Sequence, residues 1–235
     1  MVGTMKRNVK NVCVMAVLCL LTLGGWFLRS TQPVDGAAVL AWASAVLVAV
    51  FGLFSLTLTQ KKTAASVSGS NWALSLLSLG AVAMALGCAL LRWRAGESAA
   101  LAVLLAATAL CWAVTALLRQ LGKPVSPWLL MLPAVFFGAE LVNKFRHWGS
   151  DPLILDYCYE LLALIAAMCG TFHMSGFAFD RGRSRSAVFF CMGGVFFNGV
   201  ALADASGSEA LLRVACVAWL LVCLCLLLRK DRKEV

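Results

Sequence analysis

The chain has little charge: Asp, Glu, Lys and Arg make up 13% of its 235 residues, while 62% are hydrophobic. A water-soluble domain has about 25% charged and about 45–50% apolar residues. No soluble domain of this length has enough interior to hide that much apolar surface, so the solvent must be lipid. The alternation of polar and apolar residues over about ten positions that marks a barrel strand is also missing. The apolar runs are twice that length and apolar throughout, so they are helices, whose backbone is satisfied within each run.

Catalytic signatures are missing too. The chain contains no Gly-x-Ser-x-Gly, no His-Glu-x-x-His and no phosphate-binding glycine loop. There are two histidines, His147 and His173. They fall on opposite sides of the membrane, so they cannot bracket a haem, and neither they nor the cysteines have metal-ligand spacing. The expectation is therefore a non-enzyme with no metal and no cofactor. The formal charge of +9 comes from basic residues at helix ends and forms no continuous basic face, which argues against nucleic acid.

Ten cysteines are present, nearly all inside apolar runs, where they read as small packing residues and not as a disulfide framework. Cys158, near a helix end, is the one placed to meet water.

Eight spans follow one another: about 11–28, 37–58, 72–91, 98–118, 128–143, 151–179, 187–203 and 210–228. The first resembles a signal peptide in its charged start, but no small-x-small cleavage site follows Leu23, so it reads as a retained helix. Pro133 predicts a kink in the fifth. The pair Asp151–Pro152 predicts the start of an overlong sixth helix. With the amino terminus inside, fourteen of the twenty basic residues fall on inner segments and six on outer ones: Arg29, Arg92, Arg94, Lys144, Arg146 and Arg213. That bias predicts both termini inside and an even number of spans. Trp26, Trp72, Trp93, Trp128 and Trp148 fall near span ends, as in an aromatic belt. Small residues on four helices are expected to build close contacts: Ala83 and Gly87, Ala102, Ala106 and Ala109, Ala163, Ala167 and Gly170, and Gly193 and Gly194.

The fold expected is an all-α integral membrane protein, a polytopic helical bundle of about eight transmembrane helices with both termini inside. It forms a single transmembrane domain over 1–235, its spans apolar in 1–123 and carrying the polar residues in 124–235. In that second half Glu140, Asn143, Asp156, Tyr157, Glu160 and Asn198 fall at similar depth, toward the outer side, on helices five to seven. Asp156 and Glu160 are four apart and share a helix face. An acid in a membrane helix costs free energy, so it faces the bundle or water and is a candidate for function. The structural alternatives are an ion pair of Glu140 with Lys144, a helix-dipole role for Asp156 and an interhelical hydrogen bond for Asn198.

Two functions fit these residues. One is a small permease-like transporter, in which Glu140 and Glu160 bind a cation or proton and the others line an outward-facing pocket. The other is a non-catalytic membrane subunit, scaffold or sensor. The expected partners are the lipid bilayer, a small solute or cation, and a membrane-protein partner or second copy, with no nucleic acid. The short loops suggest the plasma membrane, of bacterial inner-membrane type.

Overall fold

Apolar runs of this length can meet their own backbone hydrogen bonds only as helices, and the chain is all helix and turn over the residues the structure describes. The computed structural model describes residues 2–31, 37–58, 71–148 and 157–229. Among the described residues eight helices form: α1 (Val2–Thr31), α2 (Ala37–Leu56), α3 (Trp72–Arg94), α4 (Ala99–Gln120), α5 (Pro127–Trp148), α6 (Cys158–Ala178), α7 (Ser184–Ala201) and α8 (Gly207–Leu228). Seven of them are long and apolar enough to cross a membrane. The exception is α7, which has 18 residues and holds Asn198 and Arg185. From Cys191 to Ala201 every residue of α7 is buried. Protein surrounds it, so it needs less apolarity than a helix facing lipid.

Helices α3 to α8 pack in chain order, each on the next, and α8 closes the ring against α3. Helices α1 and α2 lie outside this ring, on α7. Short connections between antiparallel neighbours put the carboxyl ends of α1, α3, α5 and α7 and the amino ends of α4, α6 and α8 at one end of the bundle. Small residues set the approach of the helices. A Cβ on Gly199 would run into the Thr22 side chain of α1, one on Gly25 would lie 2.8 Å from Val200, and one on Gly194 would lie 2.6 Å from Leu220 of α8. Of the small residues expected at contacts, Ala102, Ala109, Ala163, Ala167, Gly170, Gly193 and Gly194 are buried, whereas Ala83 is exposed. On α3 the buried face is Ala81, Ala85, Cys88 and Ala89 instead.

Several boundaries differ from those expected. Helix α1 starts at Val2, so Lys6, Arg7 and Lys10 lie in its first turns and not ahead of it. Helical hydrogen bonding continues past an apolar run wherever side chains can reach water, and hydropathy marks only the run. Helix α6 begins at Cys158 and has 21 residues, about 31 Å at 1.5 Å per residue, close to a hydrocarbon core of about 30 Å. The start expected at Asp151–Pro152, and Asp156 with it, lies outside the described residues. Helix α5 continues through Pro133.

Midway along the ring the interior is filled. The indole of Trp112 on α4 stacks on that of Trp219 on α8, centroids 4.8 Å apart, and Arg119 lies over Trp219 at 5.6 Å. Phe136, Phe137, Leu105, Leu164 and Met174 are fully buried around them. By contrast Trp42, Trp72, Trp93 and Trp128 are exposed on the outside of the bundle. All ten cysteines are free thiols, and Cys88, Cys191, Cys216 and Cys223 are buried.

Candidate functional site

At the end where α3, α5 and α7 finish, the ring opens into a cavity of about 670 Å³. Its charged lining consists of three cations, Arg29, Arg92 and Lys144, and five carboxylates, Glu97, Glu140, Glu160, Asp204 and Glu209. Six acids occur among the described residues, and the sixth, Asp180, sits at the opposite end. Among the described residues its lining therefore holds two more carboxylates than cations.

Each charge is placed by a helix end. Arg92 is in the last turn of α3 and buried, and its two terminal nitrogens donate to both oxygens of Glu140 on α5, at 2.9 and 2.8 Å. This fork-on-fork geometry is the strongest arrangement available to an arginine and a carboxylate. Glu140 is 1% exposed. Gly96, at φ +71°, turns the chain after α3, and the Glu97 N–H donates back to the Arg92 carbonyl. That turn leaves the Glu97 carboxylate 3.6 Å from Arg92 Nε. A side chain at Gly96 would be strained in this left-handed conformation.

Lys144, one turn beyond Glu140 on α5, reaches two other helices. Its ammonium lies 2.5 Å from Glu160 on α6 and also contacts Glu209 on α8. Glu160 contacts Arg213 of α8 as well. Arg213 is 1% exposed and sits below the cavity, and one of its nitrogens donates to Asn198 Oδ1 at 3.4 Å. The Asn198 amide in turn donates to the carbonyls of Ala163 and Gly194, at 3.3 and 2.8 Å. Lys144, Glu160, Glu209, Arg213 and Asn198 thus form one network across four helices, and Arg92 with Glu140 and Glu97 stands beside it. At the rim Arg29 Nε meets Asp204 at 2.8 Å, and its guanidinium lies over the Tyr159 ring at 5.7 Å.

Of the residues singled out from the sequence, Glu140, Asn143, Tyr157 and Glu160 line this one cavity. Asn198 does not; it is fully buried under the cavity as an interhelical hydrogen-bonding residue. Asp156 lies outside the described residues. Glu140 pairs with Arg92 of another helix, and Lys144, the local partner considered for it, pairs elsewhere. Sequence reasoning counted Arg29, Arg92 and Arg213 as charges of the outer segments, and it assigned no role to Glu97 or Glu209. Arg213 carried a readable signal: it is the seventh residue of α8, inside an apolar span, where a cation needs a partner. The site also draws on α1, α3 and α4, so its residues come from both halves of the chain.

His173 is a packing residue, its ring stacked on Phe190 at 5.4 Å between centroids. Among the described residues no three His, Cys, Asp or Glu side chains are gathered where they could hold a metal ion. No protein-family model, curated protein or solved structure matches this chain.

Proposed function

We propose that the chain is a small permease-like membrane transport protein that takes a small cation or protonated amine into the cavity between α3 and α8. The observation that carries this reading is the cavity itself: it opens at one end of the bundle, and among the described residues its lining holds more carboxylates than cations. The buried cations of the site are engaged: Arg92 by Glu140, Arg213 by Glu160, and Lys144 by Glu160 and Glu209. The acids with surface to spare are those nearer the mouth, Glu97, Asp204 and Glu209, which are 50%, 53% and 37% exposed. A cation entering the mouth meets these first. Deeper entry requires the pairs to exchange partners, the kind of rearrangement on which a switch between two states is built.

The same reading orients the chain. At the end opposite the cavity the described residues carry Arg119, Lys123, Arg181, Arg183, Arg185 and Arg229 against Asp180. At the cavity end they carry Arg29, Arg92, Arg94, Lys144, Arg146 and Arg213, beside five carboxylates. Counting Lys6, Arg7 and Lys10 of α1 as well, the end opposite the cavity has the larger share of the described Lys and Arg; such residues favour the cytoplasmic side of membranes, so the cavity faces outward, both termini face the cytoplasm, and the membrane is the plasma membrane, of bacterial inner-membrane type.

A second reading, a non-catalytic subunit or scaffold, is favoured by one specific feature: the deep carboxylates Glu140 and Glu160 are fully engaged and tie α3, α5, α6 and α8 together. The two readings separate on ligand-dependent stability. Purified protein is melted in detergent with sodium, potassium, choline or ethylamine, each as the chloride. Transport predicts that one of the four raises the midpoint, since binding to the folded state stabilises it, and that Glu209→Gln abolishes the rise. A midpoint that moves equally with all four chlorides, or with none, leaves the scaffold reading standing.

A further inference from the structure

A second cavity, of about 800 Å³, opens on the flank of the bundle. It is a groove between α2 and α6, floored by α7. Its walls follow helical stripes: Ala41, Ser44, Ala45, Val48 and Phe51 on α2; Cys158, Tyr159, Leu162, Ile165 and Ala166 on α6; Phe189, Phe190, Gly193 and Phe197 on α7. The one charged residue among its described lining is Arg29, at the same end as the ionic cavity, and Arg29 lines both cavities.

We propose that this groove holds one acyl chain of a glycerophospholipid from the cavity-side leaflet, with the lipid phosphate seated on Arg29. Three observations fix that occupant. The stripe from Ala41 to Phe51 runs about 15 Å at 1.5 Å per residue, half of a hydrocarbon core of about 30 Å, so the groove is one leaflet deep and stops. Arg29 is half-open at its head: Asp204 holds Nε, and among the described residues no hydrogen bond is made to the two terminal nitrogens. Those nitrogens form the fork that matches a phosphate. On the groove wall, Ser44 is 6% exposed and its hydroxyl has no partner among the described residues, which leaves a donor facing the place where a lipid ester carbonyl descends. A solute of the ionic cavity would meet only Arg29 of these features, because the rest of the groove's described lining is uncharged.

The site offers variants of opposite sign. Arg29→Gln removes the phosphate contact. Asp204→Asn leaves the guanidinium and frees it from its carboxylate. Gly193→Leu fills the groove floor, where an added Cβ would touch only Ala166, at 4.0 Å. Should that variant fail to fold, Ala45→Phe fills the same groove from an exposed position on α2.

The full-length chain is titrated with dioleoylphosphatidylglycerol and, separately, dioleoylglycerol, and bound lipid is counted by native mass spectrometry. The expected result is one tightly held phosphatidylglycerol. Its affinity falls about tenfold in Arg29→Gln, the loss of one charge-assisted hydrogen bond, rises in Asp204→Asn, and is lost in the folded groove-filling variant. The phosphate-free lipid is held weakly throughout. Equal retention of both lipids, or retention unchanged across the variants, overturns the proposal and leaves the groove as ordinary lipid-facing surface.

Discussion

Glu140 shows how a single side chain is decided by tertiary structure. Within the sequence its visible partner is Lys144, one turn away. In the fold it faces Arg92, 48 positions earlier, in a two-pronged pair that is 4% and 2% exposed. Breaking such a pair by removing one partner costs about 3–5 kcal/mol, because a buried charge is left alone. We therefore expect Glu140→Met and Arg92→Met each to lower unfolding stability by about that much, and the double replacement Arg92→Met with Glu140→Met to cost clearly less than the two added together; thermal melts of the four proteins in one detergent form the cycle. Glu160 is a stronger test, since Lys144 and Arg213 both depend on it. Glu160→Gln should destabilise more than Glu209→Gln, whose carboxylate keeps access to water; equal losses would mean the network is not arranged around Glu160. The positions of Glu140 and Glu160 in their spans were readable from sequence, and so was their gathering at one end; Glu209 was not singled out. Their partners were not, because pairing depends on how each helix is rotated about its axis, and an apolar run shows that only weakly.

For the helices, existence and order were legible because each apolar run is as long as a membrane is thick. Ends were less so: α1 extends through its basic residues to Val2, since polar side chains that can reach water do not stop a helix. Packing faces were legible where glycine marks a close approach. Gly193 and Gly194 stood out in sequence, but Gly199 did not, and it is Gly199 that lies against Thr22 of α1. Gly199→Val should cost about 1–3 kcal/mol by overpacking and loosen α1 from α7. Gly80, which has nothing within 4 Å of an added Cβ, should accept alanine with no loss, or with a gain of about 0.5–1 kcal/mol from helix propensity. Comparable losses at both positions in a melt would show that the α1–α7 contact is not set by Gly199. Helix α7 adds a further lesson: its hydropathy falls below that of its neighbours because helices shield it from lipid, so a buried span can be less apolar than the exposed ones.

At the scale of the whole molecule the chain separates its charges. Paired carboxylates and cations surround a cavity at one end, and cations with a single described carboxylate occupy the other. The orientation that follows can be tested by introducing a cysteine at Ser98, beside the cavity, or at Ser184, at the opposite end, in a background whose native cysteines are replaced. A membrane-impermeant maleimide applied to intact cells should label the first and not the second; the reverse pattern would invert the topology and turn the cavity toward the cytoplasm. The central claim, that the cavity takes up a small cation and moves it, is tested most directly by electrical recording from reconstituted vesicles on a solid-supported membrane. Concentration jumps of sodium, potassium, choline and ethylamine are compared for the wild-type chain and Glu209→Gln. The account predicts a saturable charge displacement for one of these cations that Glu209→Gln reduces at least tenfold. A wild-type chain that is folded in the vesicles and gives no current with any of the four would contradict it, and the ionic cavity would then be read as the joint that holds the helices together.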